Sequence, residues 1–315
     1  MTDLSKHISG LFPLGSKTIL LLFTLALTLP AMINAQQEWV FTQYSFSLYD
    51  INAAAVGDGQ QNALAFRARK QWTGISGAPE SIHASFQKPL ELGHLTWGIQ
   101  LFSEKIGAHQ SSSFEGTIAY RLKINEKQQL SFAIESGLMN YNFDPNRVEV
   151  RDEGDATLAS FQSNNWSPLF NAAVFWRSKR SYAGVELSRL TQSKLVSNTG
   201  GVQASQIKGI LGHAIPVSNS VVLRPSALLR YSNSQAQWEF QTAVLLHSSL
   251  WLGMGYRSNF GFLGYAEYQF SSRLRLGYSY DLASNTTFQT GGSHELFLSF
   301  QWATKSGNTS DLRYF

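Results

Sequence analysis

Three side-chain types that could perform hydrolysis stand side by side in Ser293-His294-Glu295. A serine hydroxyl can attack an ester when a histidine removes its proton and a carboxylate orients the histidine ring. These residues belong to a segment with the alternating pattern of a β-strand, and neighbours on a strand point to opposite faces. Ser293 and Glu295 therefore cannot both address the ring of His294 as a triad requires.

Other signatures of catalysis or cofactor binding are weak or missing from the sequence. No Gly-x-Ser-x-Gly or His-Glu-x-x-His motif occurs. The stretch Gly253-Met254-Gly255-Tyr256 resembles part of a nucleotide-binding loop, but it lies within a strand-like run and opens no helix. The chain has no cysteine, which excludes disulfides, thiolate metal sites and lipoprotein acylation. We expect neither enzymatic activity nor a cofactor.

The elements that carry these residues show a regular alternation of apolar and polar side chains. In the segment 273–281, leucine and tyrosine occupy every second position, and arginine, serine and aspartate fill most positions between them. A period of two is typical of a strand with one apolar face. The same pattern predicts fourteen strands: 62–70, 80–87, 94–103, 113–122, 129–141, 168–178, 181–190, 205–215, 221–231, 237–246, 249–257, 259–270, 273–281 and 293–302.

Almost every charged residue of these strands falls on the polar face. We expect the arginines Arg67, Arg69, Arg224, Arg230 and Arg257 to form an ion-pair network with the glutamates Glu115, Glu135, Glu239, Glu267 and Glu295. A soluble β-sandwich also has alternating strands, but its apolar faces pack against each other. An export signal and a regular rhythm of loops favour a membrane barrel with a polar interior.

The first 35 residues read as a cleaved secretory signal peptide. Lys6 and Lys17 precede an apolar run of about 14 residues, which is shorter than the roughly 20 that a membrane-spanning helix needs. Removal of residues 1–35 leaves 23 basic and 20 acidic residues, a balance that does not suggest nucleic-acid binding. The fold prediction is an all-β, antiparallel transmembrane barrel of about 14 strands.

The connections alternate in length, as in outer-membrane barrels with short periplasmic turns and longer outer loops. The three longest are 142–167, 191–204 and 282–292, and all three join an odd-numbered strand to the next. An even number of strands then places both chain termini in the periplasm. Loop 142–167 is the most acidic stretch, and a polar tail, 303–315, follows the last strand.

The segment 36–61 precedes the first strand and is rich in aromatic residues. Trp39, Phe41, Tyr44, Phe46 and Tyr49 are too many apolar side chains for a free tail. We therefore expect the segment 36–61 to pack in the lumen or at the periplasmic mouth, with 62–302 forming the barrel. We expect Gln43, Tyr44 and Asn52 to hold the segment inside the barrel by hydrogen bonds to charged residues of the lumen.

Several short motifs follow one another in an order that resembles a known family. They are Phe41-Thr42-Gln43-Tyr44, Ile51-Asn52, the run from Arg69 through Gln71, Trp72, Gly74 and Gly77 to Pro79, Gly277 to Asp281, and Gly292-Ser293-His294-Glu295. This combination resembles the PorP/SprF family of Bacteroidetes outer-membrane proteins. Ala53 stands where the family often has proline, so the conformation of the N-terminal segment is less firmly implied.

The resemblance implies a barrel in the outer-membrane lipid that works with the type IX secretion system, which also supports gliding motility. Its implied partners are secretion-system components and secreted surface adhesins or other cargo proteins, with no nucleic acid. The candidate partner-binding or structural residues are Gln43, Tyr44, Asn52, Arg69, Gln71, Trp72, Gly74, Gly77, Pro79, Asp281, His294 and Glu295. A passive porin or solute channel is the alternative, and it requires an open lumen.

Overall fold

A computed structural model of the chain describes residues 40–58, 61–90, 94–144, 147, 164–191, 204–283 and 290–302. The predicted signal peptide 1–35 and the predicted tail 303–315 lie outside the described residues, as does most of the acidic loop 142–167. Among the described residues, no helix is long and apolar enough to cross a membrane.

Antiparallel strands make up most of the described chain. The fifteen β segments are β1 Asn62–Lys70, β2 Glu80–Pro89, β3 Leu95–Ile106, β4 His109–Asn125, β5 Gln128–Phe143, β6 Asn164–Ser178, β7 Ser181–Ser188, β8 Gln206–His213, β9 Ile215–Ser218, β10 Val221–Ser232, β11 Gln235–Leu246, β12 Leu250–Arg257, β13 Gly261–Gln269, β14 Leu274–Ala283 and β15 Ser293–Trp302.

The sheet closes on itself. Strand β1 pairs with β15, from Asn62 opposite Trp302 to Lys70 opposite His294, and the other strands pair with their neighbours in sequence. Segments β8 and β9 both pair with β10 and flank Ala214, so they are two halves of one wall strand. The wall is therefore a 14-stranded antiparallel barrel, which confirms the predicted fold class.

The barrel has an apolar outer surface and a polar interior. Outward side chains such as Met254 and Ile118 are 72% and 65% exposed, whereas the inward Arg67 and Glu295 are 1% and 0% exposed. This arrangement reverses that of a soluble protein and matches a barrel whose outer solvent is lipid.

Two strands begin four residues earlier than the sequence predicts. Strand β4 starts at His109 rather than 113, and β6 starts at Asn164 rather than 168. The added residues are mostly polar, so they show no apolar alternation, yet backbone pairing continues to His109 opposite Phe143 and Asn142 opposite Asn164. Backbone hydrogen bonds extend a sheet whatever the side chains are.

The two ends of the barrel differ in their connections. We call one end the short-turn rim: its connections are 90–94, 126–127, 179–180, 219–220, 247–249 and 270–273. The opposite end is the long-loop rim, with the connections 71–79, 107–108, 144–163, 189–205, 233–234, 258–260 and 284–292. Both ends of the wall, Asn62 and Trp302, lie at the short-turn rim.

Residues 40–58, which we call the plug, belong to the same compact unit as the wall. The plug folds into three single-turn 3-10 helices, Tyr44–Phe46, Leu48–Asp50 and Ala53–Ala55. All residues from Val40 to Tyr49 are buried, and so are those from Ile51 to Gly57. Their contacts, described next, are with inward-facing residues of the wall.

Candidate functional site

The first part of the plug is bound to a cluster of charged wall residues near the long-loop rim. The Thr42 hydroxyl donates to Asp281 at 2.8 Å, and its backbone N–H donates to Glu295 Oε2 at 2.8 Å. Arg69 contacts both carboxylates, with Nη2 2.7 Å from Asp281 and Nη1 3.3 Å from Glu295. Arg257 lies 3.1 Å from Asp281. Thr42 therefore sits at the centre of a buried ion network.

A second charged contact lies at the end of the second 3-10 helix of the plug, at Asp50. Arg67 Nε lies 2.8 Å from Asp50 Oδ2, and its Nη1 lies 3.3 Å from Glu295. The same guanidinium stands over the rings of Phe41 and Phe297, at 5.2 and 4.5 Å from their centroids. Such cation–π contacts stabilise most where water is excluded. Arg67 thus joins two segments of the plug to the wall.

Neutral hydrogen bonds hold the middle of the plug. The hydroxyl of Tyr44 lies 3.2 Å from Ser226 Oγ, and that of Tyr49 lies 2.9 Å from Thr117 Oγ1. Both contacts join uncharged side chains.

Asn52 organises the third helical turn. Its Oδ1 accepts from the Ala54 N–H at 3.0 Å, and its Nδ2 donates to the Val174 carbonyl at 3.3 Å. The adjacent Ala53 N–H donates to Glu186 at 2.7 Å. Asn52 therefore caps a turn and ties it to the wall through backbone groups.

The end of the plug is held at the short-turn rim. Arg121 Nη2 donates to the carbonyls of Val56 and Gly57 at 3.2 and 2.8 Å. Asp58 pairs with Arg177 of β6. The plug therefore runs along the barrel from the long-loop side to the short-turn rim, where the chain enters β1.

Glycines in the wall provide space for plug side chains. A Cβ on Gly98 of β3 would lie 2.6 Å from the Tyr49 hydroxyl and 2.7 Å from Val56 Cγ2. A Cβ on Gly277 of β14 would overlap with Gln43 Oε1. Both positions face the lumen, so the plug occupies the volume that a larger wall residue would fill.

The loop between β1 and β2 contacts two other connections at the long-loop rim. The ring of Trp72 stacks on Phe260, with centroids 6.3 Å apart and planes 19° apart. Thr73 N–H donates to the Gly292 carbonyl at 2.8 Å, and Gly291 N–H donates to the Thr73 carbonyl at 2.7 Å. These contacts link the β1–β2 loop to the β14–β15 and β12–β13 connections.

Backbone conformation explains the glycines of this loop. Gly74 and Gly77 have φ of +96° and +72°, values that L side chains rarely adopt. Gly77 also accepts from the Gly107 N–H at 2.9 Å, and a Cβ there would lie 3.3 Å from Gly107 Cα. The segment from Gly74 to Gly77 is exposed, and Ile75 at its tip is 37% exposed.

The structure separates the predicted site residues into three places. Six of them lie in the lumen, where Gln43, Arg69, Asp281 and Glu295 form one cluster and Tyr44 and Asn52 lie apart from it. Five form the β1–β2 loop: Gln71, Trp72, Gly74, Gly77 and Pro79. His294 lies on the outer surface, where its Nδ1 is 2.7 Å from the Tyr278 hydroxyl. Ser293 and Glu295 point inward, so no triad forms at this position.

The plug contacts buried wall charges partly through residues that the sequence analysis did not single out as site residues. Gln43 donates to Glu295 as predicted, but Tyr44 and Asn52 bond to neutral groups. Thr42 and Asp50 also contact buried wall charges directly, each at 2.8 Å. Thr42 stands in the motif Phe41-Thr42-Gln43-Tyr44, and its place there could have marked it as a candidate site residue.

The predicted ion-pair network is confirmed for part of the lumen. Arg257 lies 2.6 Å from Glu239, and Arg67 and Arg69 each lie 3.3 Å from Glu295. Among the described residues, Glu115 and Glu135 do not pair with the predicted arginines: Asn171 Nδ2 bridges them, at 3.1 and 2.8 Å. They lie on β4 and β5, whereas the predicted arginines lie on β1, β10 and β12.

A cavity of about 70 Å³ lies between the plug and this side of the wall. Its lining includes Glu115, Glu135, Glu186, Asn171 and His83. Among the described residues, no group of three or more histidine, aspartate or glutamate side chains is arranged to hold a metal ion. The cavity has room for water molecules rather than for a solute of ordinary size.

Solved structures similar to this chain include outer-membrane proteins. Omp33 of Acinetobacter baumannii matches with 7% identity and a TM-score of 0.44, covering 78% of this chain and 100% of that one. The toluene transporter TodX of Pseudomonas putida matches with 9% identity and a TM-score of 0.48, covering 84% and 94%. Neither similarity bears on the function of this chain. No curated protein matches significantly.

The family comparison is more informative. A model of the type IX secretion system membrane protein PorP/SprF matches residues 33–300, which include the plug and nearly the whole wall. The match covers the motifs at Phe41–Tyr44, Arg69–Pro79 and Gly292–Glu295. Together with the closed barrel and its apolar outer surface, it places the protein in the outer membrane. The chain belongs to the PorP/SprF family of type IX secretion system membrane proteins.

Proposed function

We propose that this barrel is a non-enzymatic binding component of the type IX secretion system. Its long-loop rim meets secreted surface proteins, and its short-turn rim meets periplasmic secretion components. The two ends of the wall, Asn62 and Trp302, would then lie on the periplasmic side, and Thr42 of the plug would lie near the outer mouth. The single observation that supports this proposal most is the plug, because a lumen occupied from Thr42 to Asp58 suits a binding scaffold.

The alternative, a passive porin, conflicts with the way the plug is held. Thr42 is bound by two buried carboxylates, and the other end is bound by Arg121 and Arg177. A lumen of porin width would require the plug to leave the barrel, and its departure would break both sets of contacts. Porins instead keep a water-filled lumen lined by polar side chains.

The β1–β2 loop is the proposed contact with cargo. Its tip, from Gly74 to Gly77, is exposed, whereas its base is fixed by Trp72 stacking on Phe260 and by the Thr73 hydrogen bonds. A fixed base lowers the entropy that the loop loses when a partner binds. An exposed Ile75 offers an apolar contact at the tip.

Deletion and complementation in the native host would test the cargo role. We expect deletion to remove one or more surface proteins, measured by protease shaving of intact cells and mass spectrometry. Complementation with Ile75→Ser should restore display poorly, whereas Ile124→Ser, an exposed residue near the opposite rim, should restore it fully. Normal surface proteins in the deletion strain would contradict the proposal.

Conductance in planar bilayers distinguishes the scaffold from the porin. We expect the wild-type barrel to pass negligible current, because the plug occupies the lumen. A stable open-channel current from the wild-type protein would favour the porin. Removal of residues 40–56 from the same protein should produce current, which shows that the assay detects an open barrel.

A further inference from the structure

The short-turn rim carries several exposed basic side chains that form no ion pair with a described carboxylate. Six basic side chains lie exposed on or beside its turns: Lys88, Lys123, Lys127, Lys179, Arg180 and Arg273. Among the described residues of this rim, Glu126 is the one exposed carboxylate, since Asp58 is paired with Arg177. Glu91, in the β2–β3 turn, lies outside the described residues.

The charges of the long-loop rim are arranged differently. Lys70 lies 2.7 Å from Glu80, and Arg147 lies 3.0 Å from Asp144. These pairs cancel each other's charge locally. The basic side chains of the short-turn rim have no such partner among the described residues, so their positive potential extends into the solvent.

The placement of these charges indicates which occupant they suit. Lys123 and Arg273 continue the lumen-facing rows of β4 and β14, beyond Arg121 and Arg275. The remaining turn residues, Lys127, Lys179 and Arg180, stand at the tips of two-residue turns. Of the six, Lys88 alone continues an outward row, after Phe86 on β2. Most of the charge therefore surrounds the mouth rather than facing lipid headgroups.

We propose that the basic residues around the mouth at the short-turn rim, Lys123, Lys127, Lys179, Arg180 and Arg273, bind an acidic face of a protein in the periplasm. The inference rests on the proposed function, because the orientation of the barrel and the existence of a periplasmic partner come from it. Charge complementarity across the rim would speed association and select the partner. The plug end, held by Arg121 at the same mouth, would present a filled surface for this contact.

The experiment compares two variants of the full-length protein in a deletion strain. The rim variant combines Lys127→Gln, Lys179→Gln, Arg180→Gln and Arg273→Gln, and the control is Lys88→Gln. All five side chains are exposed. Heat-modifiable migration on gels shows whether each barrel folds. Two quantities are measured: the surface proteins displayed by the cells, and the type IX secretion proteins that copurify with the tagged barrel.

We expect the rim variant to fold, to lose at least tenfold in copurified secretion protein and to display less cargo, whereas the control behaves as wild type. Wild-type copurification should also weaken as salt rises from about 50 to about 300 mM, since the Debye length shortens. Equal loss from Lys88→Gln would indicate a membrane contact and overturn the inference.

Failure of the inference and failure of the proposed function give different results. If deletion abolishes display but the rim variant restores it fully, the acidic-partner inference is wrong and the function stands. If deletion leaves surface proteins unchanged, the proposed function is wrong, and the inference that rests on it is overturned as well.

Discussion

On the side of the lumen formed by β1 and β10–β15, arginines and carboxylates meet directly; on the side formed by β4–β6, the carboxylates Glu115 and Glu135 meet neutral groups. The first, which we call the arginine side, contains Arg69, Arg257, Asp281 and Glu295 in one connected network. Every member of this network is buried. A buried charge without a partner is costly, so each of these residues depends on the others.

The second, which we call the carboxylate side, contains Glu115 and Glu135. Asn171 donates to both, and Gln100 donates to Glu135 at 3.0 Å. The cavity lies here, and the plug approaches this side through the Tyr49 hydroxyl and the Asn52 turn. Neutral donors satisfy the carboxylate oxygens without fixing them as tightly as a guanidinium does.

The difference between the two sides shows where the plug is anchored. Thr42 bonds directly to two carboxylates of the arginine side, so displacement of this residue would leave charged groups short of hydrogen bonds. On the carboxylate side, the middle of the plug is held by single hydrogen bonds between neutral groups, at Tyr49 and Asn52. Arg121 and Arg177 hold only its end, at the short-turn rim. We therefore expect substitutions on the arginine side to have the larger effects.

Asp281→Asn should give the largest loss. The change removes the charge that faces both Arg69 and Arg257, and we expect the free energy of unfolding to fall by about 3–5 kcal/mol. Urea unfolding of the refolded barrel in lipid vesicles measures it. Ser279→Ala is the control, because this buried hydroxyl on the same strand has no hydrogen-bond partner among the described atoms. Equal losses from both variants would show that the Asp281 charge contributes no more to stability than a neutral hydroxyl, which would contradict the proposed difference between the two sides.

Gly98→Ala should give an intermediate loss by steric conflict alone. Its Cβ would meet the Tyr49 ring and Val56 at under 3 Å, and neither is the end of a flexible chain. Overpacking of this kind costs about 1–3 kcal/mol. We expect increased conductance as the plug shifts, measured in planar bilayers. Gly209→Ala, which has no atom within 4 Å of its Cβ, should leave both stability and conductance unchanged.

Much of the wall could be predicted because strand alternation reports directly which face a side chain occupies. The inward positions of Arg67, Arg69 and Glu295 follow because these residues alternate with apolar neighbours along their strands. This alternation does not indicate which distant side chains meet across the lumen. The pairing of Glu115 and Glu135 with Asn171, rather than with arginine, depends on their order around the barrel and on the path of the plug.

The plug was harder to predict in detail. Its aromatic content indicated burial, but three single-turn helices leave no periodic pattern in the sequence. Thr42 is a common surface residue type, and its contacts with Asp281 and Glu295 span more than 230 residues of sequence. Such contacts arise only when the barrel closes, so the local sequence does not indicate which distant residues Thr42 meets.

Asn52→Ala should give a smaller loss on the carboxylate side. The change removes the Oδ1 acceptor of the Ala54 N–H and the donor to the Val174 carbonyl. Loss of a helix cap costs about 0.5–2 kcal/mol, and we expect a value near the middle of that range from urea unfolding. Ser47→Ala is the matched plug control, because its buried hydroxyl has no partner among the described atoms. A loss as large as that of Asp281→Asn would show that the plug is anchored equally on both sides.

Glu135→Gln should have the smallest effect, and it tests the comparison most sharply because it makes the same chemical change as Asp281→Asn. The amide keeps an oxygen for Asn171, and the Thr117 hydroxyl can accept from the new N–H, although the bond from Gln100 must rearrange. Loss of one of two neighbouring negative charges also relieves repulsion with Glu115. We expect the free energy of unfolding to change by less than about 1 kcal/mol, since one neutral hydrogen bond is exchanged for that relief. A loss of several kcal/mol would mean that the Glu135 charge is itself anchored, and the two sides of the lumen would then hold the plug by the same means.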